Sequence, residues 1–113
     1  MSRKKSGRTE NQGAPRLGFN AYNISRKRYI ELRNGCVAGK YTPEMLSRAC
    51  KDFKFLEPWI LLSVTKTYSY DAMIIKWELK ELERPAVGRS DFYGYRRKFY
   101  YNLDVILREE CSA

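Results

Sequence analysis

The stretch Arg84-Pro-Ala-Val-Gly-Arg-Ser-Asp-Phe-Tyr-Gly-Tyr-Arg-Arg-Lys-Phe-Tyr-Tyr-Asn-Leu103 decides how this chain folds. Pro85 lacks a backbone donor and disfavours helical geometry in Arg84, and Gly88 permits a tight turn, so any preceding helix must stop here. Ser90 is placed to cap a new helix over about residues 91–108, with Asp91 complementing the dipole in its first turn. Wound at about 100° per residue, Phe92, Tyr95, Phe99, Leu103 and Ile106 share one stripe, which reads as core facing the preceding helix. The other side presents Tyr93, Gly94, Arg97, Lys98 and Tyr101, with Arg89 and Ser90 just ahead. In the quoted stretch Arg84, Arg89, Arg96, Arg97 and Lys98 oppose Asp91 alone, a charge balance suited to phosphate.

Upstream, Ser69 is expected to cap a fourth helix with Tyr70, Met73, Ile74 and Trp77 on one apolar stripe and Ile75, Leu79 and Leu82 on another, which implies two packing partners. Glu57-Pro58 opens a third, strongly apolar helix through Trp59, Ile60, Leu61, Leu62 and Val64. Thr42-Pro43-Glu44 combines an N-cap oxygen, a first-turn proline and an acidic residue, and starts a second helix. Met45, Leu46, Ala49, Cys50 and Phe53 follow at helical spacing, so Cys50 reads as a packed small hydrophobe and not as a nucleophile. A first helix is expected over 25–34, capped by Asn23 or Ser25 and ended by Gly35. Its cations Arg26, Lys27, Arg28 and Arg33 outnumber Glu31 and form either a solvated face or a phosphate contact.

Residues 1–20 hold Arg3, Lys4, Lys5, Arg8 and Arg16 against Glu10 among Ser, Gly, Asn, Gln and Pro, the composition of a disordered basic arm. The expected architecture is therefore all-α: a flexible arm over 1–20, then a single helical domain over 21–113. That domain is a compact bundle of about five helices ending in a helix-turn-helix at about 69–108. Nothing in the pattern asks for a sheet, and no repeat is visible.

At 113 residues with a formal charge of +9 and 43% hydrophobic residues, the chain has room for one core and favours an anionic partner. No run approaches the roughly 18 apolar residues of a membrane span, and the N-terminus lacks the apolar segment of a secretory signal. A cytoplasmic, nucleoid-associated protein is expected. Cys36, Cys50 and Cys111 are odd in number and lack CxxC spacing, and histidine is absent, so neither a metal nor another cofactor is expected. The lack of histidine also removes the usual triads and nuclease ligands, and no phosphate-cradling glycine loop occurs, so the chain reads as a non-enzyme. Nine tyrosines alone do not make a tyrosine recombinase in so short a chain.

The order helix, Arg84-Pro-Ala-Val-Gly-Arg-Ser-Asp-Phe-Tyr93, then Arg96-Arg-Lys-Phe-Tyr-Tyr-Asn-Leu103, resembles the C-terminal helix-turn-helix of small phage transcriptional regulators of the ArpU and RinA kind. That unit is in turn similar to the domain of bacterial sigma factors that reads the −35 promoter element. The likeness covers roughly residues 60–108, with its specific part in 88–103. It implies that Arg89, Ser90, Tyr93, Arg97 and Lys98 face DNA, in a sequence-specific regulator of double-stranded DNA, encoded by a phage or mobile element and acting with host RNA polymerase. The full expected contact set adds Arg84, Gly94 and Tyr101, the arm residues Arg3, Lys4 and Lys5, and Arg26, Lys27 and Arg28. Two alternatives share the same surface. One is a small inhibitor or adaptor that binds a host polymerase or defence nuclease, because Arg and aromatics also dominate protein hot spots. The other is an RNA-binding protein in which Tyr93, Tyr100 or Tyr101 stacks on unpaired bases. No sustained heptad argues for a zipper, so the oligomeric state stays open.

Overall fold

A computed structural model describes residues 24–112, with side chains described as far as Glu110. Five α-helices and one 3-10 turn make up this part of the chain, and it contains no strand, as the sequence leads one to expect. The basic arm lies outside the described residues.

Helix α1 spans Arg26–Ala38, and Ser25 caps it by accepting a hydrogen bond from the Arg28 amide at 3.0 Å. It runs past Gly35, the expected terminator, to Gly39, whose φ of 73° is the left-handed geometry a helix end requires. There the Gly39 amide donates to Cys36 O at 3.3 Å and the Lys40 amide to Gly35 O at 2.9 Å. Gly35 serves packing instead, for the Tyr41 ring lies on it so closely that a Cβ would sit 2.4 Å from Tyr41 Oη.

Helix α2, Pro43–Ala49, starts where expected, with Thr42 Oγ1 accepting from the Met45 amide at 3.1 Å. It stops before Phe53, because the Cys50, Lys51 and Phe53 amides bond to carbonyls three residues back and tighten the chain into a bend. The bend turns Phe53 into the core, where it is 1% exposed. A 3-10 turn, Lys54–Leu56, leads into α3, Glu57–Lys66, which carries Pro58 in its first turn as its sequence predicts. Thr67 then reverses the chain in the left-handed region, at φ 59°, a costly geometry for a β-branched residue.

Helix α4, Tyr70–Glu78, is capped by Ser69, whose hydroxyl accepts from the Ala72 amide at 3.1 Å. Its first stripe is buried at Tyr70 and Met73, while the second is covered only at Leu82, which packs against the core, and Ile75 and Leu79 are more than half exposed. The helix closes through Lys80 at φ 63°, with the Lys80 amide on Trp77 O at 2.9 Å and the Glu81 amide on Lys76 O at 2.8 Å.

Residues 79–88 then connect α4 to α5, Arg89–Ser112, a longer path than the turn of about three or four residues in a helix-turn-helix. The expected serine cap at Ser90 is displaced by two residues: Gly88 O accepts the Phe92 amide at 2.9 Å, and Ser90 lies inside the first turn. Helix α5 is the axis of the domain and packs against α1, α2 and α3. Phe92, Phe99, Leu103 and Ile106 are all buried, as their spacing predicts. Their stripe is covered mainly by these three helices and not by α4, which reaches α5 only near its start, where Tyr70 packs on Phe92 with ring centroids 5.7 Å apart. Tyr95, the remaining member of the stripe, is partly buried against Phe53 and Phe55 at 5.3 and 5.8 Å. Tyr100, Asn102 and Asp104 are buried as well, so little more than one ribbon of α5 meets solvent.

Candidate nucleic-acid interface

Burial divides the sequence-predicted contact residues into three groups. The first is committed to the fold. Arg28 Nε donates to Asp104 Oδ1 at 2.6 Å, and Arg108 Nη2 holds the other oxygen of the same buried carboxylate at 2.9 Å. A second, more exposed contact joins Arg28 to Glu31 at 3.3 Å. The bond to Asp104 raises the Arg28 pKa above its ordinary value, the more distant Glu31 adding to the effect against the opposing cost of burial. Tyr93 is also spoken for: its hydroxyl accepts from the Tyr70 amide at 3.0 Å, satisfying an orphan donor of α4, while Arg96 lies 4.7 Å over its ring. Gly94, expected on the outer face, is buried.

The second group is exposed but leans on neighbours. Arg89 pairs with Asp71 and lies 5.9 Å from the Tyr70 ring centroid, an arrangement that ties the start of α5 to α4. The Asp71 hydrogen bond raises the Arg89 pKa. Arg84 covers the Trp77 ring at 5.1 Å. Ser90, Arg26 and Lys27 are exposed. Arg3, Lys4 and Lys5 lie outside the described residues.

The third group, Arg97, Lys98 and Tyr101, is half-buried on the outer ribbon of α5, with Lys98 Nζ 5.0 Å over the Tyr101 ring. Here the fold adds something that residue spacing did not reveal. Lys98 and Tyr101 form one wall of a groove of about 500 Å³ whose other wall is α2 and the bend after it, bringing in Arg48, Lys51 and Lys54. These four cations are set against Asp52 and Glu109 in the lining. Asn102 braces the walls, its Nδ2 donating to Ala49 O at 2.9 Å and to Asp52 Oδ2 at 3.1 Å, so the end of α2 is held against α5.

The groove cations differ in their freedom. Lys54 Nζ is engaged by Ser47 O, Ser47 Oγ and Glu57 Oε1 at 2.9, 2.8 and 3.1 Å. Arg48 makes only a long 3.7 Å pair with Glu110, both side chains at least half exposed, which holds it weakly. Lys51 is exposed and makes no side-chain hydrogen bond or ion pair with another described residue. Arg48 lies in the last turn of α2 and Lys51 in the bend after it, and both line the groove. What made them unreadable as partners of Lys98 is the separation of α2 and α5 in sequence.

Cys36 and Cys50 are buried free thiols, and burial pushes the pKa of each up to about 12, which bears out the reading of Cys50 as core. Among the described residues no cluster of acidic, cysteine or histidine side chains could hold a metal ion, and no helix is long and apolar enough to cross a membrane. Comparison with known protein families, with curated proteins and with solved structures finds no match to this chain.

Proposed function

We propose that this chain binds double-stranded DNA as a transcriptional regulator, through the half-buried outer ribbon of α5 and the groove it forms with α2. The observation that carries the reading is the meeting of Lys98 with Arg48 and Lys51 across that groove, beside Arg97 and Tyr101. Clustered cations of this kind track phosphates and release counterions on binding. Arg97 and Ser90, with Arg89 if Asp71 yields it, are then the side chains that reach base edges from α5. Duplex DNA is favoured over unpaired RNA because Tyr100 is buried and Tyr93 is held by α4, which leaves Tyr101 as the main stacking platform of the three.

A salt titration of binding to a labelled promoter duplex tests this reading. Lys51→Ala and Lys98→Ala should each weaken binding across sequences and reduce the slope of log affinity against log salt by about 1. Unchanged affinity and slope in both variants would exclude the groove as a phosphate contact.

A second reading, a host-protein adaptor or inhibitor, is favoured by a separate observation. Ile75 and Leu79, four residues apart, leave apolar side chains on and just after α4 at 55% and 62% exposure. Under the leading reading such a patch suits RNA polymerase; under the second it is the principal contact. Pull-down from nuclease-treated extract separates them, since a nucleic-acid-bridged association disappears with the nucleic acid.

A further inference from the structure

On the opposite side of α5 from the groove lies a smaller pocket of about 170 Å³, walled by α1, α3, the Thr67–Ser69 turn and the α5 residues Tyr93, Arg96 and Tyr100. Arg96 precedes Lys98 by two residues, about 200° around the helix, so the two recesses open on different faces. We propose that this pocket is a binding site for a small phosphate-class oxyanion, held between the guanidinium groups of Arg33 and Arg96.

Its lining is chemically one-sided. Two arginines and serine, threonine and tyrosine residues line it beside two valines, and no carboxylate does. Arginine elsewhere in this fold is commonly balanced, as in Arg28 with Asp104 and Arg89 with Asp71. Arg96 instead spends one N–H on the neutral Ser63 hydroxyl at 2.9 Å and stacks on Tyr93, and Arg33 pairs with no described carboxylate. A guanidinium carries five N–H donors in a planar fork suited to phosphate, so most of the donors of Arg96 are left for a ligand.

The hydroxyls complete the donor set. Tyr93 Oη accepts the Tyr70 amide, which leaves its own hydrogen to donate. Ser63 Oγ likewise accepts from Arg96, and Ser63 is 2% exposed. Tyr100 is also 2% exposed and lines the recess. Burial pushes the Tyr100 hydroxyl pKa up, Cys36 adds to that push, and Arg96 and Arg33, which both line the recess, oppose it. The left-handed Thr67 forms part of the rim, and backbone geometry of that kind collects at ligand sites. The volume lies below the roughly 300–1,000 Å³ of drug-sized ligand sites, which selects a free oxyanion or the phosphoryl end of a small ester.

The experiment uses the full chain, isotope-labelled, titrated with inorganic phosphate and in parallel with phenyl phosphate. Sodium chloride at matched ionic strength is the control. Saturable shifts of the Thr67, Tyr68, Ser69 and Tyr93 amides are expected with phosphate and not with chloride, and the tighter of the two phosphates tells a free anion from an ester end group. Arg33→Gln, at an exposed position, should weaken binding about tenfold or more without loss of fold, as loss of a charge-assisted hydrogen bond implies. Arg96→Lys, which keeps the charge and loses the fork, should weaken it as well. Shifts that fail to saturate, that chloride reproduces, or that survive both substitutions unchanged overturn the proposal.

Discussion

Arg28→Ala distinguishes a cation that builds the fold from one that meets DNA. The guanidinium bonds at 2.6 Å to Asp104, whose side chain is 6% exposed, so removing it strips one of two cationic partners from a buried carboxylate. Breaking a fully buried pair costs roughly 3–5 kcal/mol. Two features lower that figure here: Arg108 still holds the second oxygen at 2.9 Å, and Arg28 itself is 35% exposed, so solvent screens part of the attraction. One hydrogen bond to a charged partner, discounted in this way, leaves about 2 kcal/mol. The Ser25 cap on the Arg28 amide is a backbone contact and survives the substitution. For a domain of this size 2 kcal/mol corresponds to a fall of about 8–16 °C in Tm. Urea and thermal melts followed by circular dichroism measure it, and Arg28→Lys should recover only part, since an ammonium cannot reproduce the Nε geometry. The DNA salt slope should stay at its wild-type value. A loss below about 0.5 kcal/mol, joined to a slope reduced by about 1, would refute the assignment and return Arg28 to the DNA contact set.

Further outcomes follow from other sites. Burial holds the Cys36 and Cys50 thiols at about 12 against an ordinary 9.0, so between those values the unfolded chain ionises while the folded one does not. The protein should keep this part of its stability below pH 9. Above it, the loss is up to about 1.4 kcal/mol per pH unit for each thiol, a decline that equilibrium unfolding at stepped pH would resolve and that alanine at both positions should flatten. Gly35→Ala should displace the Tyr41 ring and destabilise the domain in the natural background. In a Tyr41→Ala background it should instead stabilise by about 1 kcal/mol through helix propensity, and Tyr41→Phe should bring no such reversal, because the ring carbons alone lie 2.5 and 2.6 Å from the new Cβ. Lys80→Gly should raise stability by about 0.5–1 kcal/mol in chemical denaturation by relieving a left-handed non-glycine at the end of α4; an equal loss would mean that the Lys80 side chain contributes more than its backbone costs.

Local chemistry made much of the helical order legible. Ser25, Thr42 and Ser69 all cap as their side chains allow, because a cap oxygen and the amides it serves lie within three residues of each other. The stripe of Phe92, Phe99, Leu103 and Ile106 was legible for a similar reason, since a helix repeats at one fixed period. Helix ends were less so. Gly35 and Gly39 are equally plausible terminators by residue type, and the choice between them fell to Tyr41, whose ring needs the bare backbone at Gly35. Ser90 has the right chemistry for a cap, yet Gly88 takes the position.

The sequence by itself determined the all-helical make-up of the described residues, the caps Ser25, Thr42 and Ser69, the principal apolar stripe and the excess of positive charge. It could not assign that charge. Arg28 meets Asp104 across 76 residues, Tyr93 meets the Tyr70 amide across 23, and Lys98 faces Arg48 and Lys51 only because α2 is bound to α5 through Asn102. A cation's neighbours along the chain describe its local helix. Whether it is spent on a buried carboxylate or left to a ligand depends on which distant element the folded core brings beside it, and the tertiary structure alone decides that.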